Sequence, residues 1–297
     1  MLKNMVKEIK SRKDYLNGEI ISSIYFGGGT PSILTISEIN TFLKTIYNFY
    51  QVNEDSEITI ECNPDDLTSS KLYSYKKIGI NRLSIGVQSF DDTDLKFMNR
   101  SHNAKKAIES IELSKQIGFK NISVDLIYGL PNQTLKKWKK NLSIMFRLDV
   151  QHFSAYSLTI EEKTKLYHLV KNRKIIPLTD KKIIKQFNLL QIQAKKQGFI
   201  HYEISNFGKK GYFAKHNTAY WKNKHYIGIG PSAHSYNGIS RRWNVSSNIK
   251  YISDFNTHSK QEELSISQKY NEYILTSLRT IWGINTATIQ QRFGDKI

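Results

Sequence analysis

One short pattern occurs three times along the chain and restricts the folds that it can adopt. In each copy a helical stretch ends in glycine, and an apolar residue follows: Lys77-Ile78-Gly79-Ile80, Gln116-Ile117-Gly118-Phe119 and Lys196-Gln197-Gly198-Phe199. Such a sequence is typical of a Schellman-type helix stop that leads into a strand. Repeated units of this kind predict parallel strands joined by right-handed crossovers, and therefore an α/β fold.

Apolar runs alternate with helical patterns over the first 200 residues. The predicted strands are 20–26, 57–62, 82–88, 121–128 and 152–158, and the predicted helices between and after them are 69–78, 104–117, 134–146 and 181–197. After about residue 200 the alternation stops, and two helices are predicted at 270–281 and 286–293. We therefore predict three segments: a polar lead-in at 1–19, a repeating α/β region at 20–200 and a C-terminal extension at 201–297.

The first predicted strand ends abruptly in three adjacent glycines, within Ile24-Tyr25-Phe26-Gly27-Gly28-Gly29-Thr30-Pro31. Glycine has no Cβ, so such a loop either brings bare backbone against a ligand or forms a tight turn, and both interpretations stay open at this point. A capping box at Thr35-Ile36-Ser37-Glu38 predicts that a helix follows. The glycine spacing matches neither a Walker loop nor a dinucleotide-binding motif.

Polar side chains occur where successive predicted strands end. They are Glu61, Gln88, Arg100 (twelve residues beyond Gln88) and Asp125. Because the carboxyl ends of parallel strands meet at one edge of a sheet, we expect these groups to lie near one another. Carboxylates accept hydrogen bonds from amines and hydroxyls, and arginine binds carboxylates, so the set suits a ligand that carries an amine, a carboxylate and ribose hydroxyls. Taken singly, a structural role is favoured, with Glu61 and Asp125 as helix caps or lysine partners and Arg100 as a surface residue. Taken together, on successive strand ends, the set favours a ligand site.

The bulk composition limits the classes of function. The chain has 297 residues, a formal charge of +18 and a single cysteine, Cys62. No apolar run is long enough for a transmembrane helix and no secretory signal is visible, so we expect a cytoplasmic protein in a reducing compartment. The lysines are scattered over predicted helix surfaces, which favours a solvated exterior over a nucleic-acid interface. Nucleic-acid binding remains an alternative, since the last two helices would fit a winged-helix-like end, and steep salt dependence on DNA would support it.

Five motifs, in order, resemble a known family. They are Gly27-Gly28-Gly29-Thr30-Pro31, Glu61-x-Asn63-Pro64, Gly86-Val87-Gln88-Ser89-Phe90, Arg100-x-His102 and Asp125-Leu126-Ile127-Tyr128-Gly129-Leu130-Pro131. The chain resembles, from about residue 20 to 290, the radical S-adenosylmethionine (SAM) proteins related to oxygen-independent coproporphyrinogen III oxidase. Within that family, His216-Asn217-Thr218-Ala219-Tyr220-Trp221 is similar to the His-Asn-x-x-Tyr-Trp signature of the heme chaperone (HemW-type) branch, and the stretch Gly228–Ser235 also fits that branch.

The resemblance implies a fold and a set of ligands. The fold would be an incomplete parallel (β/α)6 TIM-like barrel that lacks its first strand, with a C-terminal α+β extension. Gly28, Gly29 and Thr30 match the positions that contact the methionine end of SAM, while the other matching contact positions are Glu61, Gln88, Arg100, Asp125 and Thr159. Heme would bind through His216, with His234 as a secondary candidate. No catalytic residue is assigned.

The implied function is heme trafficking to an acceptor protein, with transient membrane contact as a further possibility. The alternative within the family is a coproporphyrinogen oxidase-like enzyme of porphyrin biosynthesis. Of these two functions, the His-Asn-x-x-Tyr-Trp stretch favours the heme chaperone.

One departure from the family concerns its iron–sulfur cluster. The family carries a Cys-x-x-x-Cys-x-x-Cys loop whose thiolates bind three irons of a [4Fe–4S] cluster, whereas this sequence holds Cys62 alone. In a strand, Cys62 faces away from its neighbour Glu61, so we predict a small buried core residue. We expect a truncated chain that binds no cluster, generates no 5′-deoxyadenosyl radical and binds SAM more weakly.

Overall fold

The computed structural model describes residues 1–294, so the last three residues of the predicted extension, 295–297, lie outside it. The chain divides into two compact units, each built from separate segments. We call them the barrel unit (Tyr25–Ile33 and Ile58–Ala214) and the terminal unit (Met1–Ile24, Leu34–Glu57 and Lys215–Ile297).

The described residues form ten strands and twelve α-helices. The strands are β1 (Ile21–Phe26), β2 (Val52–Cys62), β3 (Arg82–Gln88), β4 (Asn121–Tyr128), β5 (His152–Ser157), β6 (Ile200–His201), β7 (Asn206–Gly208), β8 (His234–Tyr236), β9 (Ser240–Trp243) and β10 (Lys260–Glu263). The helices are α1 (Leu2–Ser11), α2 (Ile36–Phe49), α3 (Ser69–Lys77), α4 (Asp92–Phe97), α5 (Ala104–Gln116), α6 (Leu135–Arg147), α7 (Lys165–Lys171), α8 (Asp180–Lys196), α9 (Lys215–Trp221), α10 (Asn248–Ser253), α11 (Ile266–Ser277) and α12 (Thr286–Phe293).

The larger sheet has the strand order β1-β2-β3-β4-β5-β7-β6. The pairs from β2 to β5 are parallel, while β7 is antiparallel to both β5 and β6. The predicted α/β class with a mostly parallel sheet is therefore confirmed. A smaller antiparallel sheet, in the order β10-β9-β8, lies in the terminal unit.

The repeated glycine pattern has the predicted geometry. Gly79, Gly118 and Gly198 have φ angles of 97°, 94° and 76°, in the left-handed region that favours glycine. The amide of the next residue reaches back to the helix in each case, as from Ile80 to the Tyr75 carbonyl at 3.0 Å. The capping box of α2 is also confirmed, because the Thr35 side chain accepts from the Glu38 amide and the Glu38 side chain accepts from the Thr35 amide.

The apolar core of the barrel unit lies along one face of the central strands, while the opposite face of β3 is polar. β3 contributes fully buried Leu83, Ile85 and Val87, as expected for a parallel strand covered by helices. From α6, Trp138 is fully buried and donates its indole N–H to the Gln186 carbonyl at 3.1 Å. None of the described helices combines the length and apolar character needed to cross a membrane.

Two predicted elements, β2 and α11, had wrong bounds. β2 begins at Val52, five residues before the predicted Glu57, and its early residues are polar and exposed, so no hydrophobic alternation marks them. α11 begins at Ile266 and ends at Ser277, four residues earlier than predicted at each end, because Ser265 and Gln268 form a capping box that the apolar pattern alone does not reveal.

Candidate functional site

The glycine loop after β1 exposes its backbone. Gly28 and Gly29 have φ angles of 75° and 132°, and a Cβ placed on either would meet nothing within 4 Å. At Gly27 a Cβ would lie 2.4 Å from the Tyr25 ring and 2.8 Å from Glu61 Oε1, so only glycine fits there. The loop thus combines one position closed to side chains with two whose backbone is open to a ligand.

Glu61, at the carboxyl end of β2, holds this loop. Its Oε2 accepts from the Gly28 amide at 3.2 Å, and its Oε1 accepts from the Tyr25 hydroxyl at 2.8 Å. Burial and the neighbouring Glu61 carboxylate hold the pKa of Tyr25 far above its usual value, so this hydroxyl remains a donor. The structure therefore brings two predicted elements, the glycine loop and Glu61, into direct contact.

The turn beyond the loop is tied to the residues that follow β2. The carbonyl of Thr30 accepts from the Ile33 amide at 3.1 Å. Ser32 Oγ donates to Asp66 at 2.5 Å and accepts from the Asn63 amide at 3.2 Å. These bonds fix the path of the chain immediately after Thr30.

Gln88 and Arg100 converge on Gly86 in β3. A Cβ at Gly86 would lie 3.1 Å from Gln88 Nε2 and 3.5 Å from the Arg100 guanidinium. Arg100 donates to the Gly86 carbonyl at 3.0 Å and to Asn63 Oδ1 at 2.6 Å, and burial lowers its pKa. Gln88 has a φ of 68°, unusual for a residue other than glycine, at the point where β3 ends.

Asp125 lies on β4 beside these groups. The register pairs Gln88 with Leu126, so the two predicted residues Gln88 and Asp125 are at the same end of the sheet. The Asp125 carboxylate accepts from Ser84 Oγ at 3.2 Å. Burial raises the pKa of Asp125 to about 6, and the negative charge of Glu61 acts in the same direction.

Thr159 follows β5, the strand that pairs with β4. It is exposed, two residues beyond the end of β5, and no hydrogen bond joins it to the other predicted residues within the described chain. The glycine loop, Glu61, Gln88, Arg100 and Asp125 therefore lie at or near consecutive strand ends, and Thr159 follows the end of the next strand, β5.

Three acidic or phenolic residues near these strand ends were missed by the sequence analysis: Tyr25, Tyr156 and Glu203. Burial raises the pKa of Tyr156 to about 12, with Asp125 acting in the same direction. Glu203 is buried, burial raises its pKa, and its Oε1 has no hydrogen-bond partner among the described residues. The alternation of side chains along a strand could have pointed to Tyr156. It is two residues from Ser154, so both side chains lie on the same face of β5, and Ser154 pairs with Asp125 on β4.

Cys62 is a buried core residue, as predicted. It is 4% exposed, and burial raises the pKa of its thiol far above the usual value, which keeps it protonated. No group of three or more His, Cys, Asp or Glu side chains among residues 1–294 is arranged to hold a metal ion. The residues present therefore do not fit a [4Fe–4S] cluster.

His216 is held within the terminal unit, in the first turn of α9. Its Nδ1 lies 3.1 Å from Ser23 Oγ on β1, and its backbone amide donates to Glu57 Oε1 at 3.1 Å. The Tyr220 ring meets the imidazole edge-on, with centroids 5.0 Å apart, and Tyr226 continues the aromatic row 4.6 Å beyond Tyr220. The imidazole therefore lies beside an aromatic row formed by Tyr220 and Tyr226.

His234, the secondary candidate, has a different setting on β8. It is exposed and stacks on Trp243 of β9, with ring centroids 6.2 Å apart and an interplanar angle of 20°. Its backbone lies so close to Gly228 that a Cβ there would be 2.1 Å from the His234 carbonyl oxygen. The glycine-rich stretch before β8 therefore permits a close approach of two backbone segments.

Comparison with known proteins identifies the family. Residues 3–143 match the model of the radical SAM superfamily. The chain is 34% identical over 280 residues to the protein named heme chaperone HemW of Bacillus subtilis, covering 92% of this chain and 74% of that protein. The chain belongs to the HemW family of radical SAM proteins. The HemW protein of Lactococcus lactis is 33% identical over 278 residues, covering 93% of this chain and 73% of the relative.

A solved structure supports the fold of this HemW family member. Coproporphyrinogen III oxidase (HemN) from Escherichia coli, described as a radical SAM enzyme, superposes with a TM-score of 0.84 over 98% of this chain and 70% of its own. The sequence identity is 22%, so the likeness concerns the fold. The fold is therefore that of the radical SAM TIM-like barrels, as the sequence motifs predicted.

Proposed function

We propose that this chain is a heme-trafficking protein that binds heme and passes it to an acceptor protein. The observation that carries the proposal is the 34% identity, over 92% of the chain, to a protein named heme chaperone HemW. The sequence His216-Asn217-Thr218-Ala219-Tyr220-Trp221 supplies the chemistry, because it places an imidazole and two aromatic residues on one short helix.

In this proposal His216 ligates the heme iron. A neutral imidazole is a good iron ligand, and Nε2 is the ligating nitrogen because Nδ1 is engaged by Ser23. Burial of the porphyrin against Tyr220, which is 43% exposed, and Trp221 provides most of the affinity through apolar area. Release to an acceptor requires that this binding stays weaker than the acceptor's own.

We also propose that the barrel unit binds SAM. The exposed backbone of Gly28 and Gly29, with Thr30, would meet its methionine end. The Glu61 and Asp125 carboxylates would accept hydrogen bonds from its amine and hydroxyl groups, while Gln88 and Arg100 would bind its polar edges. In the family, bound SAM is the source of a 5′-deoxyadenosyl radical formed at the cluster. A single thiolate does not meet the requirement of that cluster, so we propose no radical step for this chain.

A loading experiment tests the proposed function. The purified chain is incubated with ferric heme, and in a second sample anaerobically with iron and sulfide, and each sample is then passed through gel filtration. We expect about one heme per chain to be retained and no stable iron–sulfur absorbance. Loss of all heme on the column would contradict heme trafficking, and a stoichiometric cluster would contradict the proposed lack of radical chemistry.

A further inference from the structure

The imidazole of His216 is fixed by a residue far away in the sequence. Ser23 lies on β1, 193 positions earlier, and its Oγ is 3.1 Å from His216 Nδ1. Both residues belong to the terminal unit, and both are half-buried. The neighbouring Ser22 is exposed, as expected for the next residue of a strand, whose side chain points to the opposite face.

The backbone of His216 is fixed by a second group. Glu57 is 4% exposed, and its two oxygens accept from the amides of Lys215 and His216, at 3.1 Å each. These amides belong to the first turn of α9, where no carbonyl of the helix can accept from them. A carboxylate at this end also matches the positive end of the helix dipole. Glu57 therefore sets where α9 begins.

These contacts bear on which nitrogen of the imidazole can bind a metal. A neutral imidazole has one protonated nitrogen and one with a lone pair. When Nδ1–H donates to Ser23 Oγ, the lone pair lies on Nε2, which is then the nitrogen able to ligate iron. A hydrogen bond at the second nitrogen also fixes the orientation of a metal-bound histidine ring and raises its basicity.

We propose that Ser23 and Glu57 are positioning residues for heme ligation by His216. Ser23 holds the ring in the tautomer that offers Nε2 to the iron, and Glu57 holds the turn of backbone from which the ring projects. This inference rests on the proposed function, since it requires His216 to be the ligand. It extends the heme site beyond the His-Asn-x-x-Tyr-Trp stretch to β1 and β2.

The test compares ferric heme binding by the parent chain and three serine variants. Ser23→Ala removes the hydrogen-bond partner, Ser23→Thr retains a hydroxyl, and Ser22→Ala is the matched control on the same strand. We expect Ser23→Ala to weaken heme binding about 10-fold, to shift the Soret band and to raise the midpoint potential, because a less basic imidazole stabilises ferric iron less. Ser23→Thr and Ser22→Ala should resemble the parent chain.

The outcomes separate this inference from the proposed function. If Ser23→Ala matches the parent in affinity, Soret position and midpoint potential while His216→Ala loses heme, Ser23 has no positioning role and the proposed function stands. If His216→Ala also matches the parent, heme ligation by His216 is wrong, and the inference is wrong with it.

Glu57→Gln tests the second contact. The two amides donate to different oxygens of Glu57, and the substitution replaces one of these oxygens by an NH2 group that cannot accept. We therefore expect weaker heme binding with an unchanged Soret position, since the ligand and its tautomer stay the same. Unfolding by urea, measured on the same variant, shows whether the chain remains folded. A folded Glu57→Gln chain with the affinity of the parent would overturn the role of Glu57.

Discussion

Asp125 carries a carboxyl group that the fold holds in a poorly solvated position, with a pKa raised to about 6. Between about pH 4 and pH 6 the folded chain retains a proton that the unfolded chain has lost, so this group lowers stability as the pH rises through that window. Asp125→Asn removes the ionisation. We therefore expect the variant to be about 1–3 kcal/mol more stable than the parent at about pH 8, and the gain to vanish at about pH 4, as measured by urea unfolding at both pH values.

Asp149 is a control for that experiment, because its pKa is shifted in the opposite direction and its substitution should change stability with the opposite sign. A hydrogen bond from Lys209 lowers the pKa of Asp149, so its contribution to stability is present at neutral pH and is lost as the pH falls through its folded-state pKa. Asp149→Asn should therefore be destabilising at about pH 8 and neutral at low pH. A gain for Asp125→Asn that does not change with pH would contradict the account of Asp125.

At the scale of elements, the proposal places SAM against the backbone of the glycine loop after β1. Gly28→Val adds a side chain to a loop that has open space around it, at a φ of 75°. Gly211 is a matched control in the barrel unit, with a φ of 87° and open space around its Cβ position, so Gly211→Val introduces similar backbone strain elsewhere. We expect Gly28→Val to weaken SAM binding about 10-fold or more, with Gly211→Val near the parent value, as measured by equilibrium dialysis. Equal SAM affinities for the two variants would argue against the glycine loop as part of the cofactor site.

The helices and strands also show which parts of the fold and of the candidate site could be predicted from the sequence. β3 and β4 have the predicted bounds, because apolar residues alternate with polar residues or glycine along both strands, and this local pattern is visible in the sequence. Glu61, Gln88 and Asp125 were predictable because parallel strands end at one edge of a sheet. The partners of His216 were not, since Ser23 and Glu57 are 193 and 159 positions away and no local pattern marks them. The early start of β2 was missed for another reason, since its exposed polar residues carry no periodic signal.

At the scale of the whole molecule, the chain combines two proposed ligand sites, each within its own unit. The residues proposed for SAM belong to the barrel unit, while His216, Ser23 and Glu57 belong to the terminal unit. The formal charge of +18 does not by itself identify a third site, because exposed lysines such as Lys105, Lys139 and Lys181 lie on different helices. Membership of the HemW family and the contacts around His216 together make heme ligation the central claim.

Ferric heme titration of the parent chain, His216→Ala and His234→Ala, followed by the position of the Soret band, tests that claim most directly. Apolar burial alone would hold some heme, so the band position is needed in addition to the affinity. We expect the parent chain and His234→Ala to give the same Soret band, characteristic of an imidazole-ligated heme. His216→Ala should give a shifted band and an affinity lower by about 10-fold or more. An unchanged band and affinity for His216→Ala, or the loss of both in His234→Ala alone, would contradict the account.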